Sequence, residues 1–340
     1  MFACNLMEQS TFEGRAILVA LAGSSFPSRL RSTHASKITL ILKNVRRGKK
    51  MAQHTVTGAV QIGTGRSVAN IDIVQMTTTN QSGVEAEKDR GMAPLGTKVV
   101  RHAVYTIPFF VDPLQMAKTK ATVEDLRVFA SILPHVFDLN LSRTRPEVEL
   151  RHAWWVEHTG PLGSIPTHVV LDTLTPKAKT EAPASWADYQ DADEKSLAAD
   201  KRVKSVTDLL NGVPEISGNR VSGLLVIETT FSNINGDPDA ESLPRSVDRI
   251  GIVSDVSIKA KIRKIAGNPE FFKAAGIKYD SARMGILEQR GRDRNQIKKL
   301  TPEEFLSRFW DARLFGSTFL EADEKTEETG KKTKKQATAA

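Results

Sequence analysis

The residues best suited to chemistry lie in a polar loop and in the helix predicted to follow it. The loop, residues 231–239, comes after an apolar run typical of a strand and contains Asn235-Gly236. Asn-Gly and Asp-Pro pairs favour tight turns, and glycine lets a ligand approach the backbone closely. The next segment predicts a helix over 255–265 whose basic residues are Lys259, Lys261 and Arg263. A strand, a glycine turn and a basic helix together favour contacts with phosphate groups.

The spacing of these basic residues leaves a second interpretation open. Lys259 and Arg263 are four residues apart and share one face of a helix, whereas Lys261 lies well around the helix from both. A charged helix face is more often solvated than bound to a ligand. On spacing alone, the solvated face is therefore favoured over phosphate contact.

Other residue types that perform chemistry form no recognised site in the sequence. The predicted strand spacing of His152 and His158 puts them on one face but too far apart to share a metal ion. The single cysteine, Cys4, excludes an internal disulfide and a cysteine-clustered zinc site. The sequence contains no Ser-His-Asp set, Walker loop or His-Glu-x-x-His motif. We therefore expect no catalytic residue, no metal and no cofactor.

The net charge of the 340-residue chain is concentrated at its beginning. The charge is +8 at pH 7, and residues 1–50 contain nine Lys or Arg and two Glu, which is a surplus of seven. Only one of the eight net charges is left for residues 51–340, so the overall charge does not by itself indicate nucleic-acid binding. A self-associating structural module that binds no RNA remains an alternative on this ground.

Residues 1–50 are unlike a folded domain, and three interpretations stay open. They are a basic arm, a transit peptide rich in Arg and Ser, or a spurious extension before a working start at Met51. The Arg-Arg-Gly-Lys-Lys that precedes Met51 is what a purine-rich ribosome-binding site would encode. The longest apolar run, Ala16–Ala22, is too short to span a bilayer. We expect a cytoplasmic protein with no membrane partner.

Hydrophobic patterns in the rest of the chain predict an α+β fold. One helix is predicted over 122–137, with Thr122 as its cap and with Pro134 expected to kink it or end it early. Another is predicted from Thr301 onward. Residues 191–221 are predicted as a linker, with a short helix near 203–210. The predicted strands are 68–79, 97–111, 148–157, 167–174 and 224–230, the first two forming a hairpin with a mobile tip.

The loop, the Leu243-Pro244-Arg245 segment and the basic helix resemble the start of a known family. It is the RNA-binding backbone subunit of type I CRISPR Cascade complexes, in the RAMP superfamily, and the resemblance is to the I-C and I-B kind. It covers most of 55–190 and 222–320. Further stretches that resemble the family are Thr57–Ser67, Phe137–Arg151, Leu162–His168, Trp186–Tyr189 and Asp311–Gly316.

The order of the resembling halves is reversed relative to the family. The family begins with the part that resembles 222–320, whereas in this chain the counterpart of its carboxyl half, 51–190, comes first. We therefore expect a circular permutant in which 191–221 links the two halves. Residues 1–50 would be the basic arm or spurious extension, and residues 321–340, which are low in complexity, a disordered tail.

The resemblance implies an RRM-like (ferredoxin-like) RAMP core with insertions and a β-hairpin thumb at about 69–103. It implies a non-catalytic subunit whose copies assemble head to tail along guide RNA (crRNA), together with other Cascade subunits. The guide bases would stay free to pair with target DNA. Pairing would supply specificity, and the protein would hold the RNA backbone through shape and charge.

The resemblance also implies which residues contact RNA. Ile234 stands where the family has proline, and Leu141 stands where it has arginine. The expected RNA-binding residues are Asn235, Gly236, Arg245, Lys259, Lys261, Arg263, Gln61, Arg66, Ser67, Ser142, Arg143 and Arg145.

A metal-dependent ribonuclease is the alternative function. Related backbone subunits of type III complexes place an aspartate in the loop after their first strand, and Asp237 and Asp239 occupy a comparable loop here. Carboxylates at that position could bind Mg²⁺ and activate a nucleophile. The plainer role of Asp-Pro-Asp is to form a turn.

Overall fold

The structure, a computed structural model, describes residues 53–81, 92–288, 297 and 300–320. The predictions for 1–50, for the tip of the predicted hairpin and for the tail 321–340 lie outside the described residues. The described chain combines short helices with antiparallel strands, which confirms the predicted α+β class.

The strands vary from two residues to twenty. Their bounds are β1 Gln53–Thr57, β2 Val60–Ile62, β3 Gly65–Asn70, β4 Ile73–Gln81, β5 Met92–Val111, β6 Glu147–His158, β7 Lys177–Ala178, β8 Tyr189–Gln190, β9 Val203–Asp208, β10 Val221–Ser232, β11 Gly236–Asp237, β12 Leu243–Pro244, β13 Ser246–Val247, β14 Ile250–Val253 and β15 Gly316–Leu320.

The helices are short, and the described residues include none long and apolar enough to cross a membrane. Their bounds are α1 Pro113–Thr119, α2 Val123–Ile132, α3 Thr167–Leu174, α4 Glu194–Ala198, α5 Asp255–Ala266, α6 Pro269–Ala274, α7 Pro302–Arg308 and α8 Trp310–Phe315. Single 3₁₀ turns lie at Leu133–His135, Asp138–Asn140, Trp186–Asp188, Leu209–Asn211 and Pro238–Ala240.

One large sheet organises the fold, with strand order β13-β14-β3-β5-β10-β6-β9 and with β2 and β4 also paired to β5. Strand β10 lies between β5 and β6 and pairs with both in antiparallel register. Its residues from 221 to 229 are all buried, as expected for a strand covered on both faces.

Each face of the sheet is covered by its own apolar cluster. On the first face, α2 and α5 pack against residues such as Phe109, Trp155 and Ile227. The rings of Phe109 and Phe129, the latter from α2, meet edge to face with centroids 5.7 Å apart. On the second face, α3 packs against the neighbouring strand residues Trp154 and Val226.

The predicted hairpin and the predicted helix caps have the expected geometry. Strands β4 and β5 pair from Ile73↔Val100 to Gln81↔Met92. The side chain of Thr122 accepts a hydrogen bond from the backbone of Asp125, and the Asp125 carboxylate accepts one from the backbone of Thr122. Helix α2 ends at Ile132 and not at 137, because Pro134 cannot continue the α-helical hydrogen bonds.

Two segments differ from their predicted secondary structure. Residues 167–174 form helix α3 and not a strand, because Val170 and Leu174, four residues apart, are the positions buried against the sheet. Residues 203–208 form strand β9 and not a helix, because they pair with the otherwise open edge of β6. The predicted linker 191–221 is therefore also part of the sheet.

His158, at the end of β6, is buried in a neutral state. The backbone N–H of Ser164 donates to Nδ1 of His158 at 3.0 Å, so this nitrogen has no proton. The other ring nitrogen, Nε2, lies 3.0 Å from Oγ of Ser222 and can donate to it. Burial and, secondarily, the charge of Arg220 lower the pKa of His158.

This neutral histidine makes the stability depend on pH. The unfolded chain takes up a proton at His158 near the ordinary histidine pKa of about 6.5, while the folded chain does so only at lower pH. We therefore expect the melting temperature to change little between pH 7.5 and about pH 6.5 and to fall as the pH decreases below that. Thermal melts from pH 7.5 to 5 measure this.

A His158→Gln variant provides the control for this prediction. The variant should be less stable at neutral pH. Because glutamine cannot titrate, its melting temperature should fall less on acidification. If the melting temperature of the variant falls as steeply on acidification as that of the unchanged protein, the pH dependence comes from other groups. His102 is one such group, because burial also lowers its pKa.

Candidate nucleic-acid interface

The polar loop singled out in the sequence, 231–239, is the start of a longer stretch of unusual backbone geometry that ends at residue 249. Among the described residues, six that are not glycine have a positive φ, and five of them lie between 231 and 249. These five are Phe231, Glu241, Ser242, Asp248 and Arg249. Backbone strain of this kind costs on the order of 1–3 kcal/mol per residue and concentrates at functional sites.

Hydrogen bonds join this loop to the turn at Ser142–Arg145. The turn is closed by a bond from the backbone N–H of Arg145 to the carbonyl of Ser142, at 2.8 Å. The backbone N–H of Asn233 donates to the carbonyl of Thr144 at 2.7 Å. The Asn233 side chain donates to the carbonyl of Ser242 at 2.6 Å, which ties the loop to itself. Two segments distant in sequence thus become one surface.

Three buried hydrogen-bond donors on this surface have no acceptor in the structure. They are Nε of Arg145, Nδ2 of Asn235 and Nε of Arg245. The same loop has one buried acceptor without a partner, Oδ1 of Asn233. A buried donor without a partner costs about 1–3 kcal/mol. The three residues are themselves partly exposed and two of them are cations, so an anionic ligand with several oxygen acceptors can reach their amide and guanidinium groups.

Lys261 extends this donor set from helix α5. Its side chain is 7% exposed, and Nζ donates to Oγ of Ser257 at 2.7 Å and lies over the Phe137 ring. Burial, followed by repulsion from Arg145, lowers the pKa of Lys261 to about 8. An anion bound between Lys261 and Arg145 would relieve both effects. We define the donor surface as Arg145, Asn235, Arg245 and Lys261.

Arg245 and Asp237 are partners across the loop. Nη2 of Arg245 lies 3.3 Å from Oδ1 of Asp237, and the same oxygen accepts a bond from the backbone of Asp239. The carbonyl of Asn235 accepts from the backbone of Arg245 at 3.3 Å. Within the described ranges, no group of three or more His, Cys, Asp or Glu is placed to hold a metal ion.

Gly236 is required by a close approach of two backbone segments. It pairs with Pro244, and a Cβ at this position would lie 3.0 Å from the carbonyl oxygen of Ser242. This distance is tighter than nine in ten real Cβ contacts, so a side chain would require the facing backbone to move by a few tenths of an ångström. The predicted glycine turn thus holds Asn235 and Arg245 next to each other.

Three predicted RNA-binding residues outside the donor surface, Arg263, Lys259 and Ser67, are held by partners inside the protein. Nε of Arg263 donates to the buried carboxylate of Asp311 at 2.9 Å, and Nζ of Lys259 donates to Asp255 at 2.8 Å. The hydroxyl of Ser67 donates to the carbonyl of Ala69 and accepts from the backbone N–H of Gly251. Their contact with RNA stays a prediction that the observed partners do not favour.

The other predicted residues lie away from the donor surface or at its rim. Arg66 is exposed and, in the part of the chain that the structure describes, has no ion-pair partner. It lies opposite Thr106 of β5, which shares a face of the sheet with Val104, two residues earlier, and Val104 belongs to the cluster on the second face. Gln61 donates to the carbonyl of Gly58 at 2.9 Å. Ser142 and Arg143 are exposed on the turn beside the donor surface.

Sequence reasoning missed two residues that position the site. Ser257 holds the ammonium group of Lys261, and the four-residue spacing of the two on one helix was the available signal. Asn233 connects the loop both to Thr144 and to Ser242, and nothing local in the sequence indicates these contacts.

The Asp311–Gly316 motif has a structural role. The Asp311 carboxylate accepts hydrogen bonds from the backbone of Leu287 and from the backbone of Glu288, besides the bond from Arg263. The buried guanidinium of Arg313 pairs with Asp125 of helix α2. The motif therefore holds α8 against α5 and α2.

Comparison with protein families finds one match. The sequence matches the family model described as CRISPR-associated protein Cas7 over residues 41–193 and 219–334, which is more than half of the chain. No curated protein matches the sequence.

Proposed function

Because this chain belongs to the Cas7 family of CRISPR-associated proteins, we propose that it is a guide-RNA-binding backbone subunit of a type I, I-C/I-B-like effector complex. The observation that supports this most directly is the donor surface. Buried donors on Arg145, Asn235 and Arg245 lack acceptors beside a desolvated lysine. Phosphate oxygens of an RNA strand supply acceptors and negative charge together.

The chemistry of this surface suits backbone contact and not base recognition. Arginine and asparagine donors fix the register of a strand on phosphate oxygens without reading the sequence. In this proposal the guide bases remain available, and pairing with target DNA supplies specificity. Affinity for a single subunit is modest, and copies that assemble head to tail on one RNA strand, with other Cascade subunits, bind it tightly.

The proposal includes an RRM-like core, and the order of the strands in the large sheet supports it. The neighbours β3, β5, β10 and β6 lie in that order in the sheet, and α2 and α5 both cover its first face. When the chain is followed from residue 221 onward and continued from residue 53, six elements come in the order β10-α5-β3-β5-α2-β6, with further strands and helices between them. This is the β-α-β-β-α-β order of a ferredoxin-like fold.

The same order supports a circular permutation. Strands β1 and β15 pair in antiparallel register, with Gln53 opposite Leu320. Residue 320 could therefore run on into residue 53 through a short turn, as in any hairpin. Permutation is tolerated where the original ends are close and the new ones lie in exposed segments.

The β4–β5 hairpin is the proposed thumb. Its two strands pair over nine positions, beyond the region in which β5 pairs with β3. A hairpin that extends from the sheet can fold over RNA held on a neighbouring copy. Asn233 also contacts it, since its side chain lies 3.3 Å from the carbonyl of Lys98.

Copurification tests the proposed function. The full chain is expressed with a CRISPR array and its partner subunits, and purified at moderate salt. We expect a large particle with a high 260/280 nm absorbance ratio and bound RNA of uniform length that maps to the array. A culture without the array is the control. Particles that form without RNA, or a monomer free of RNA, would contradict the proposal.

The proposal includes no catalysis, which gives a separate prediction. The Asp237 carboxylate is engaged by Arg245 and by the turn, and neither role activates water. We expect the double variant Asp237→Asn and Asp239→Asn to leave bound RNA intact to the same extent as the unchanged protein, with or without added Mg²⁺. RNA cleavage by the unchanged protein that the variant abolishes would instead establish the ribonuclease.

A further inference from the structure

Phe231 combines two features that are unfavourable for a phenylalanine. Its φ is +42°, in the left-handed region that bulky side chains rarely adopt, and 42% of it is exposed to solvent. Across the described residues, no other aromatic ring is in contact with it. A small polar residue would adopt this backbone conformation, and this exposure, at a lower energetic cost.

The backbone on both sides of Phe231 is fixed. Thr230 pairs with His102 of β5 and with Glu147 of β6. Ser232 pairs with Val100, and its hydroxyl accepts a hydrogen bond from the backbone N–H of Glu147 at 3.1 Å. Phe231 therefore lies where β10 separates from β6, in a conformation determined by its neighbours. The backbone that carries the ring is fixed before any ligand arrives, so binding has to order only the side-chain torsions of Phe231.

The donor surface begins a few residues along the chain from Phe231. Asn233, two residues on, is bonded to Thr144, the neighbour of Arg145, and Asn235 follows two residues later. An exposed aromatic ring next to cationic donors is the combination with which proteins bind single-stranded nucleic acid. The donors contact the backbone, and the ring stacks on a base.

We infer that Phe231 is a stacking platform for one base of the bound RNA strand, an inference that rests on the proposed function. An apolar protein segment would cover the ring but leave the buried donors of Arg145 and Asn235 without acceptors. A nucleotide satisfies both, because its base covers the ring while its phosphate accepts from the donors. Every base has an aromatic face, so the contact tolerates any guide sequence.

A comparison of normal and abasic RNA tests the inference. The full chain is titrated with a fluorescent single-stranded RNA and with an abasic strand of the same length and charge. We expect Phe231→Leu to weaken binding of the normal strand about tenfold and to leave binding of the abasic strand unchanged. Phe231→Tyr, which keeps the ring, should bind like the unchanged protein. Leu162→Ala, at another exposed apolar residue, is the control.

A second variant separates the ring from folding effects. Asparagine adopts positive φ readily, so Phe231→Asn should raise the melting temperature while it weakens binding of the normal strand. A variant that is both more stable and a weaker binder cannot have lost affinity through unfolding.

The outcomes distinguish this inference from the function on which it rests. If the unchanged protein binds RNA, and Phe231→Leu either binds each strand as tightly as the unchanged protein does or weakens both by the same factor, stacking is wrong and RNA binding stands. If the unchanged protein binds neither strand, both are wrong.

Discussion

Replacement of Arg145 by glutamine is expected to lower the affinity for guide RNA by about 10- to 100-fold. The loss of one charge-assisted hydrogen bond accounts for roughly 1.5–3 kcal/mol. Arg145 is the member of the donor surface that has an unpaired buried nitrogen and also repels Lys261. Fluorescence anisotropy with labelled RNA at several salt concentrations measures the loss. The slope of log affinity against log salt concentration should become shallower by an amount equivalent to about one phosphate contact.

The matched control is Arg127→Gln. Arg127 lies on α2, is exposed and pairs with Glu124 three residues earlier, so its loss removes one charge without touching the donor surface. We expect its affinity for RNA to stay within about twofold of the unchanged protein, since long-range charge is screened at physiological salt. Equal losses for the two variants would show that only overall charge matters and would refute the donor surface.

The pH dependence of binding gives this prediction a second readout. With a pKa of about 8, Lys261 of the free protein loses its proton as the pH rises from 7 to 9, so the affinity should fall in that interval. An ordinary lysine would stay charged there. In Arg145→Gln the repulsion is gone, the pKa of Lys261 rises, and the fall in affinity should move to higher pH.

The local parts of this site could be predicted from the sequence because local chemistry determines them. The Asn235-Gly236 turn and helix α5 depend on residues only a few positions apart. The Thr122 capping box is equally local, and it formed as expected. Such features need no knowledge of the sheet.

Tertiary contacts determine the features that the sequence could not give. Arg263 and Lys261 look equivalent in the sequence, yet Arg263 pairs with Asp311, 48 residues away, and Lys261 faces Arg145. The secondary structure of segments 167–174 and 203–208 differs from the prediction. Burial of one helix face and pairing with an open sheet edge outweighed the intrinsic propensities of these segments. No pattern in the sequence indicates which donors remain without an acceptor.

Replacement of Arg313 by leucine is expected to lower the free energy of unfolding by about 3–5 kcal/mol, because it leaves a buried carboxylate without its main partner. The Arg313 side chain is fully buried, with Nε and Nη2 donating to the two oxygens of Asp125 at 3.0 and 2.7 Å. Its remaining N–H groups donate to the carbonyls of Leu306, Ser307 and Arg283. Urea denaturation of the full chain measures the change.

Lys120→Leu is the matched control, because it also removes a cation, but from an exposed ion pair with Glu303. Exposed pairs contribute about 0–1 kcal/mol, so Arg313→Leu should lower the free energy of unfolding several times more than Lys120→Leu does. Because Arg313 holds α8 against α2 and lies apart from the donor surface, RNA affinity measured well below the melting temperature should be unchanged in Arg313→Leu. A variant of normal stability with weakened RNA binding would reverse this assignment and place the Asp311–Gly316 motif in the RNA interface.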